Sequence, residues 1–141
     1  MRCEQVMKRD VEFVTGSNTV QIAAQKMRNA NVGFLPVCDA SKNVIGTITD
    51  RDLAIRIVAD AKPGTTLISD VMSKDVVACR PADDLTRAQE LMSSRKKSRM
   101  LVTDESGKLL GVISLSDVAQ HDGSRAAETL KSVSGRETRA A

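Results

Sequence analysis

The sequence predicts an α/β (α+β) protein built from two tandem β-α-β-β-α units and a short C-terminal helix. Two observations carry that prediction. Sliding the 141-residue chain by 65 positions aligns Val6 through Ala54 with Val71 through Ala119 without a gap, and 13 of those 49 pairs are identical. They include Val6/Val71, Met7/Met72, Asp10/Asp75, Ala23/Ala88, Met27/Met92, Gly46/Gly111, Ile48/Ile113 and Asp52/Asp117. Within each copy, short β-branched runs alternate with segments whose apolar residues recur at helical spacing.

Each copy opens with V-M-x-x-D-V, at Val6–Val11 and Val71–Val76. A short extended piece follows, Val11–Val14 or Val76–Cys79, ending in the turn-prone Gly16–Asn18 or Pro81–Asp83. The first helix comes next. Val20, Ala23, Ala24 and Met27 fall at i, i+3, i+4 and i+7, and Leu85, Ala88 and Met92 repeat the stripe. Asn18 and Asp83 are expected to cap these helices, because their short side chains can accept from the first free amides.

The runs Phe34–Cys38 and Arg99–Thr103 then read as strands, each followed by a polar turn beginning at Asp39 or Asp104. Val44–Ile48 and Leu109–Ile113 supply second strands. A second helix begins after Thr49 or Ser114, with Leu53, Ala54, Ile57 and Val58 expected as its apolar face in the first copy. One such unit leaves a face of its sheet bare, and two packed face to face would cover both. The resulting boundaries are 6–62 for the first motif, 63–70 for a linker carrying Pro63 and Gly64, and 71–122 for the second motif. Residues 123–141 are expected to form a short helix, with Ala126, Ala127, Leu130 and Val133 on its apolar side, and a frayed tail.

Composition narrows the function. Hydrophobic residues make up 41% and charged residues 28%, as in an ordinary globular domain. Phe13 and Phe34 are the only aromatic residues, which argues against recognition by stacking several nucleic-acid bases. The net charge of +3 is too small to imply a nucleic-acid partner, and the basic cluster Arg95, Lys96, Lys97 and Arg99 can be a solvated helix end. No apolar run approaches a membrane span and none resembles a secretory signal. Cys3, Cys38 and Cys79 show no metal-ligand spacing, which points to a reducing, cytoplasmic setting. Cys38, inside an apolar run, is expected to be a small buried side chain rather than a reactive one.

The chemistry lies in the doubled corner, G-T-I-T-D-R-D from Gly46 and G-V-I-S-L-S-D from Gly111. Thr49 and Ser114 stand where a strand becomes a helix, so the amides beside them lack intrahelical partners and can take an anion such as phosphate. Asp52 and Asp117 follow three residues later, on the same helix face. A carboxylate there can accept from two ribose hydroxyls. The same pattern also describes a helix cap, with the acid favoured by the helix dipole.

The repeated units, the V-M-x-x-D-V openings and the G-h-h-[ST]-x-x-D corners resemble a pair of cystathionine-β-synthase (CBS) domains, a Bateman module, over about residues 6 to 121. The resemblance implies two repeats related by pseudo-two-fold symmetry, and a sensor of adenosine-containing ligands: AMP, ADP, ATP, NAD or S-adenosylmethionine. It implies ligand in the cleft between the copies and a homodimer; the acidic residues suit magnesium better through the ligand's phosphates than in a protein cage, and output is expected to reach a separate effector protein. By position, one pocket would hold Asp117, Ser114, Ser116 and Arg99 with Val32 and Gly33. The other would hold Asp52, Thr49 and Arg51 with Lys97 and Ser98. The copies differ, since Arg51 is matched by Ser116 and Asp50 by Leu115, so unequal ligands or affinities are expected.

An enzyme is disfavoured. His121 is the single histidine and is expected in solvent at a helix end, and there is no phosphate-cradling G-x-x-x-x-G-K-[ST] or G-x-G-x-x-G loop. The remaining alternative is a ligand-free interaction scaffold with vestigial pockets.

Overall fold

A computed structural model describes residues 1–121 and 127–134. After a 3₁₀ turn at Cys3–Gln5, the first repeat runs β1 (Val14–Thr15), α1 (Val20–Ala30), β2 (Phe34–Cys38), β3 (Val44–Thr49) and α2 (Asp50–Leu53), which continues as a π-helical segment, Ala54–Val58. A short α3 (Ile68–Val71) leads into β4 (Ala78–Cys79), α4 (Leu85–Arg95), β5 (Arg99–Thr103), β6 (Leu109–Ser114) and α5 (Leu115–His121). A further helix, α6, covers 127–134. The order is the strand-helix-strand-strand-helix unit expected, twice.

Each repeat makes one three-stranded sheet, β1-β2-β3 or β4-β5-β6. The first pair in each sheet is parallel and the second antiparallel, and the registers correspond: Phe34 opposes Thr49 as Arg99 opposes Ser114. Leu35, Val37 and Ile48 fill the core of one sheet together with Val20, Ala23 and Met27 of α1. Met100, Val102 and Ile113 do the same with Leu85, Ala88 and Met92 of α4.

The chain divides into two compact units that cut across the repeat. The first unit is Glu12–Val76; the second is Met1–Val11 with Val77–Ala141. Each V-M opening therefore lies in the unit that holds the other copy's strands. In the second unit Lys8 and Val112 exchange backbone hydrogen bonds of 3.0 Å in both directions, and in the first Ser73 and Thr47 do so at 2.9 Å. The matching continues upstream: the amide of Cys3 donates to Asp83, and the amide of Ile68, 65 positions on, donates to Asn18.

Glycine at positions 46 and 111 permits these crossings. A Cβ on Gly46 would meet the Ser73 carbonyl oxygen and the Met72 sulfur at 2.7 Å, and one on Gly111 would meet the Lys8 oxygen at 2.7 Å. The repeated Met and the repeated Gly are thus the two sides of one contact, made within each unit.

Several expectations are corrected. The caps of α1 and α4 are Thr19 and Asp84, each one residue beyond the expected Asn18 and Asp83. Asn18 and Asp83 instead close the preceding turns, accepting from the amides of Thr15 at 2.9 Å and Arg80 at 2.8 Å. An Asx side chain satisfies a turn amide as readily as a helix amide, and here the turn wins.

Of the expected apolar face on the second helix, Ile57 is buried and Leu53 partly so, whereas Ala54 is exposed and Val58 is 75% exposed. On α6, Thr129 and Val133 turn inward while Ala127 and Leu130 face solvent. Thr129 and Val133 stand one helical turn apart, and hydroxyl contacts to α4 hold that face: Ser132 donates to the Ser93 carbonyl at 3.1 Å. Ala126 and the expected frayed tail lie outside the described residues.

Candidate functional site

Each unit presents one strand-to-helix corner. In the first, Thr49 is extended at φ −120° and caps α2. Its Oγ1 accepts from the Asp52 amide at 3.1 Å, and the Asp52 Oδ2 accepts from the Thr49 amide at 3.0 Å. The second corner repeats this reciprocal capping. The Ser114 Oγ accepts from the Asp117 amide at 3.2 Å, and the Asp117 Oδ2 accepts from the Ser114 amide at 2.8 Å. Each pair satisfies two amides that the helix start would leave open.

The second carboxylate oxygen faces a cation at both corners. Asp52 Oδ1 lies 3.5 Å from Arg56 Nη2, and Arg56 also donates through Nη1 to the Val71 carbonyl at 2.7 Å. Asp117 Oδ1 lies 3.7 Å from Lys8 Nζ. These ion pairs are longer than a strong charge-assisted hydrogen bond, and a carboxylate has about four lone-pair sites, so acceptor capacity remains on each Oδ1. Access differs. The Asp117 side chain is only 7% exposed and the Asp52 side chain 16%.

Around Asp52 the structure gathers Thr49, Asp50, Arg51 and Gly33. Gly33 accepts from the Asp50 amide at 2.9 Å, and a Cβ added to it would lie 2.6 Å from Asp50 Oδ2, so a larger residue there would turn the exposed Asp50 carboxylate aside. Val32 and Arg51 are exposed beside them. Around Asp117 it gathers Ser114, Ser116, Ser98 and Arg99. The Ser114 and Ser116 hydroxyls are 3.1 Å apart. Ser98 accepts from the Leu115 amide at 3.1 Å, the counterpart of the Gly33 contact. Arg99 pairs with Ser114 across the strands, yet its guanidinium is exposed and folds back to the Ser98 carbonyl at 3.2 Å. Lys97 follows the C-cap of α4, where Lys96 adopts a left-handed φ of 55°.

Two corner residues escaped the sequence reading. Arg56 stands four residues after Asp52, a spacing that already marks a helical ion pair. Lys8 carried no local signal, because it reaches Asp117 only through the exchange of openings. His121 ends α5 and is exposed. Among the described residues no group of three or more His, Cys, Asp or Glu side chains is placed to hold a metal ion, and no helix is long and apolar enough to cross a membrane.

Comparison with known proteins agrees with this architecture. The CBS domain profile matches the chain twice, at residues 3–59 and 68–123. The uncharacterised protein YlbB of Bacillus subtilis is 32% identical over 136 residues, covering 94% of this chain and 91% of its own length. The CBS domain-containing protein YhcV of the same organism is 34% identical over 116 residues, 82% of this chain and 81% of its length. Inosine-5′-monophosphate dehydrogenase of Methanocaldococcus jannaschii is 32% identical over 117 residues, but the chain spans only 23% of that enzyme. Among solved structures, a conserved CBS domain protein of unknown function from Thermoplasma acidophilum superposes with a TM-score of 0.82 at 24% identity, covering 94% of this chain and 75% of that one. A CBS domain pair in complex with 5′-methylthioadenosine and S-adenosyl-L-methionine superposes with a TM-score of 0.77 at 21% identity, over 89% of this chain and 98% of that one.

Proposed function

Because the chain belongs to the CBS domain family, we propose that it is a non-catalytic regulatory module whose two corners bind adenosine-containing ligands. AMP, ADP, ATP, NAD and S-adenosylmethionine are the candidates, and 5′-methylthioadenosine joins them from the pair crystallised with it. The enzymes that share this sequence do so over less than a quarter of their length, so their catalysis is not carried over.

One observation supports the corners above all: in both units the carboxylate caps its helix through Oδ2 and keeps Oδ1 beside a cationic side chain. A ribose hydroxyl can donate to Oδ1 without breaking the cap, and Lys8 or Arg56 can then turn to a phosphate. Arg51 at one corner, and Ser116 with Arg99 at the other, would supply further phosphate donors, with Val32, Gly33, Lys97 and Ser98 lining the approach. Magnesium would enter only on the ligand's phosphates. The reading includes a cytoplasmic homodimer that signals to a separate effector protein. A ligand can shift its conformation only by the difference in its affinity for two states.

Calorimetry with this panel tests the proposal. Micromolar binding of one member, lost in Asp52→Asn or Asp117→Asn while the melting transition stays cooperative, is the expected result. Asn keeps the capping acceptor and removes the charge that the sugar and the cation share. Absence of heat with every adenosine compound, with self-association retained, would favour the scaffold reading instead.

A further inference from the structure

The second unit buries two thiols against each other. Cys3 Sγ and Cys79 Sγ are 3.4 Å apart, with Cys79 donating, and the two residues are 0% and 2% exposed. Both are free cysteines, 76 residues apart in sequence. The matching positions of the first unit, 65 residues away, are Ile68 and Val14, both buried in that unit's core. An aliphatic pair therefore serves the packing at this place, and the second unit holds sulfur there instead.

We propose that Cys3 and Cys79 form a reversible dithiol–disulfide site that fastens the Met1–Val11 segment to β4 under oxidising conditions. The reaction partner is a small peroxide. A Cys3 thiolate attacks the peroxide O–O bond and becomes a sulfenic acid, releasing hydroxide, which takes a proton to become water. The Cys79 sulfur, losing its proton, then attacks the Cys3 sulfur and expels a second water. Two thiols give up two electrons to one peroxide, and one S–S bond replaces two S–H bonds. The assignment of roles follows the hydrogen bond: donation from Cys79 holds the Cys3 thiol below its ordinary pKa, while Cys79, as donor and buried, is pushed up.

Closure needs the sulfurs to approach from 3.4 Å to about 2 Å, a movement of about 1.4 Å, small enough for side-chain rotation and a shift of the 3₁₀ turn. Access comes through opening of the same turn. Its backbone ties to the rest of the unit are the Cys3 amide to Asp83 at 2.9 Å, the Glu4 amide to Pro81 at 3.0 Å and the Leu85 amide to Met1 at 2.7 Å, and the Cys3 thiol also faces the Asp84 carbonyl at 3.9 Å. Oxidation is accordingly limited by this local opening and slower than that of an exposed thiol. Cys38 lies in β2 of the first unit, buried and with its thiol pushed up to about 11 by desolvation, and is an internal control.

The test treats the full chain with hydrogen peroxide, then alkylates and maps the peptides. The expected product is monomer-linked, lacks two hydrogens, joins the Cys3 peptide to the Cys79 peptide, and leaves Cys38 alkylatable. Dithiothreitol restores all three thiols, and the oxidised chain melts on the order of 10 °C higher, because the bond closes a long loop. Cys38→Ser retains the crosslink. Cys3→Ile with Cys79→Val, which copies the first unit's pair, stays folded and loses the redox-dependent shift. The proposal is overturned if all three thiols survive peroxide treatment prolonged well past the hydrogen exchange of the Cys3–Gln5 amides, or if Cys3 advances to sulfinic acid with no crosslink to Cys79.

Discussion

Met7 lies across the α-carbon of Gly111: a Cβ added there would meet the Met7 sulfur at 2.8 Å and the Lys8 carbonyl oxygen at 2.7 Å. The methionine side chain can yield, but the backbone oxygen cannot without breaking its bond to the Val112 amide. Gly111→Ala is therefore expected to cost roughly 1–3 kcal/mol, the range for overpacking. Gly46→Ala should cost a similar amount, since it meets the Ser73 oxygen at the same distance. Urea denaturation of both variants measures this, and a cost near zero in either would show that the crossing strand is loosely held.

Removing residues 1–11 should act on the far copy rather than the near one. The segment supplies Cys3, Val6 and Met7 to the core that holds Met100, Val102 and Ile113. Hydrogen exchange should speed up across Leu109–Ser114 and Ala78–Cys79, with Val44–Thr49 protected as before. Faster exchange confined to the first repeat would contradict the unit boundaries.

The two corner aspartates should differ in what they contribute to stability. Asp117→Ala leaves the buried Ser114 amide without its acceptor and is expected to cost about 2–3 kcal/mol. Asp52→Ala, at a more open corner, should cost about 1 kcal/mol, the ordinary value of a lost cap. Chemical denaturation of the two variants side by side decides, and equal costs would mean that burial of the second corner has no energetic weight.

Cys38 gives an alkaline dependence whose sign is fixed. Burial raises its thiol in the folded chain from 9.0 to about 11, so folding favours the protonated form. That contribution is present below pH 9 and is lost as pH rises towards 11. The stability advantage of the wild type over Cys38→Ala should shrink by roughly 2 kcal/mol across that window. A constant difference across the window would show that the thiol titrates alike in both states.

Much of this fold was legible because the chain states it twice. The 65-residue phase located the strands and long helices, since β-branched runs and helical spacing each appeared in duplicate, although the opening strands begin only at Val14 and Ala78. Asn18 and Asp83 misled by one residue because a turn and a helix compete for the same kind of side chain, and neighbouring Thr19 and Asp84 are equally good caps. Val58 misled because helical periodicity marks an apolar face without saying that anything in the same chain covers it. At the corners, the hydroxyl–aspartate spacing was readable and so was Arg56. Lys8 was not, because its partner lies more than a hundred residues away and only the exchanged openings bring them together.

That exchange bears on how such a chain could arise. A single copy of the repeat lacks the segment that crosses its own glycine, so on its own it could complete its sheet only by borrowing from another molecule. Two copies joined end to end need no encounter that depends on protein concentration, because the tether holds them at an effective concentration of the order of millimolar. The exchange also makes the halves interdependent: cut between them, the two fragments should each be incomplete alone and should restore one another when mixed.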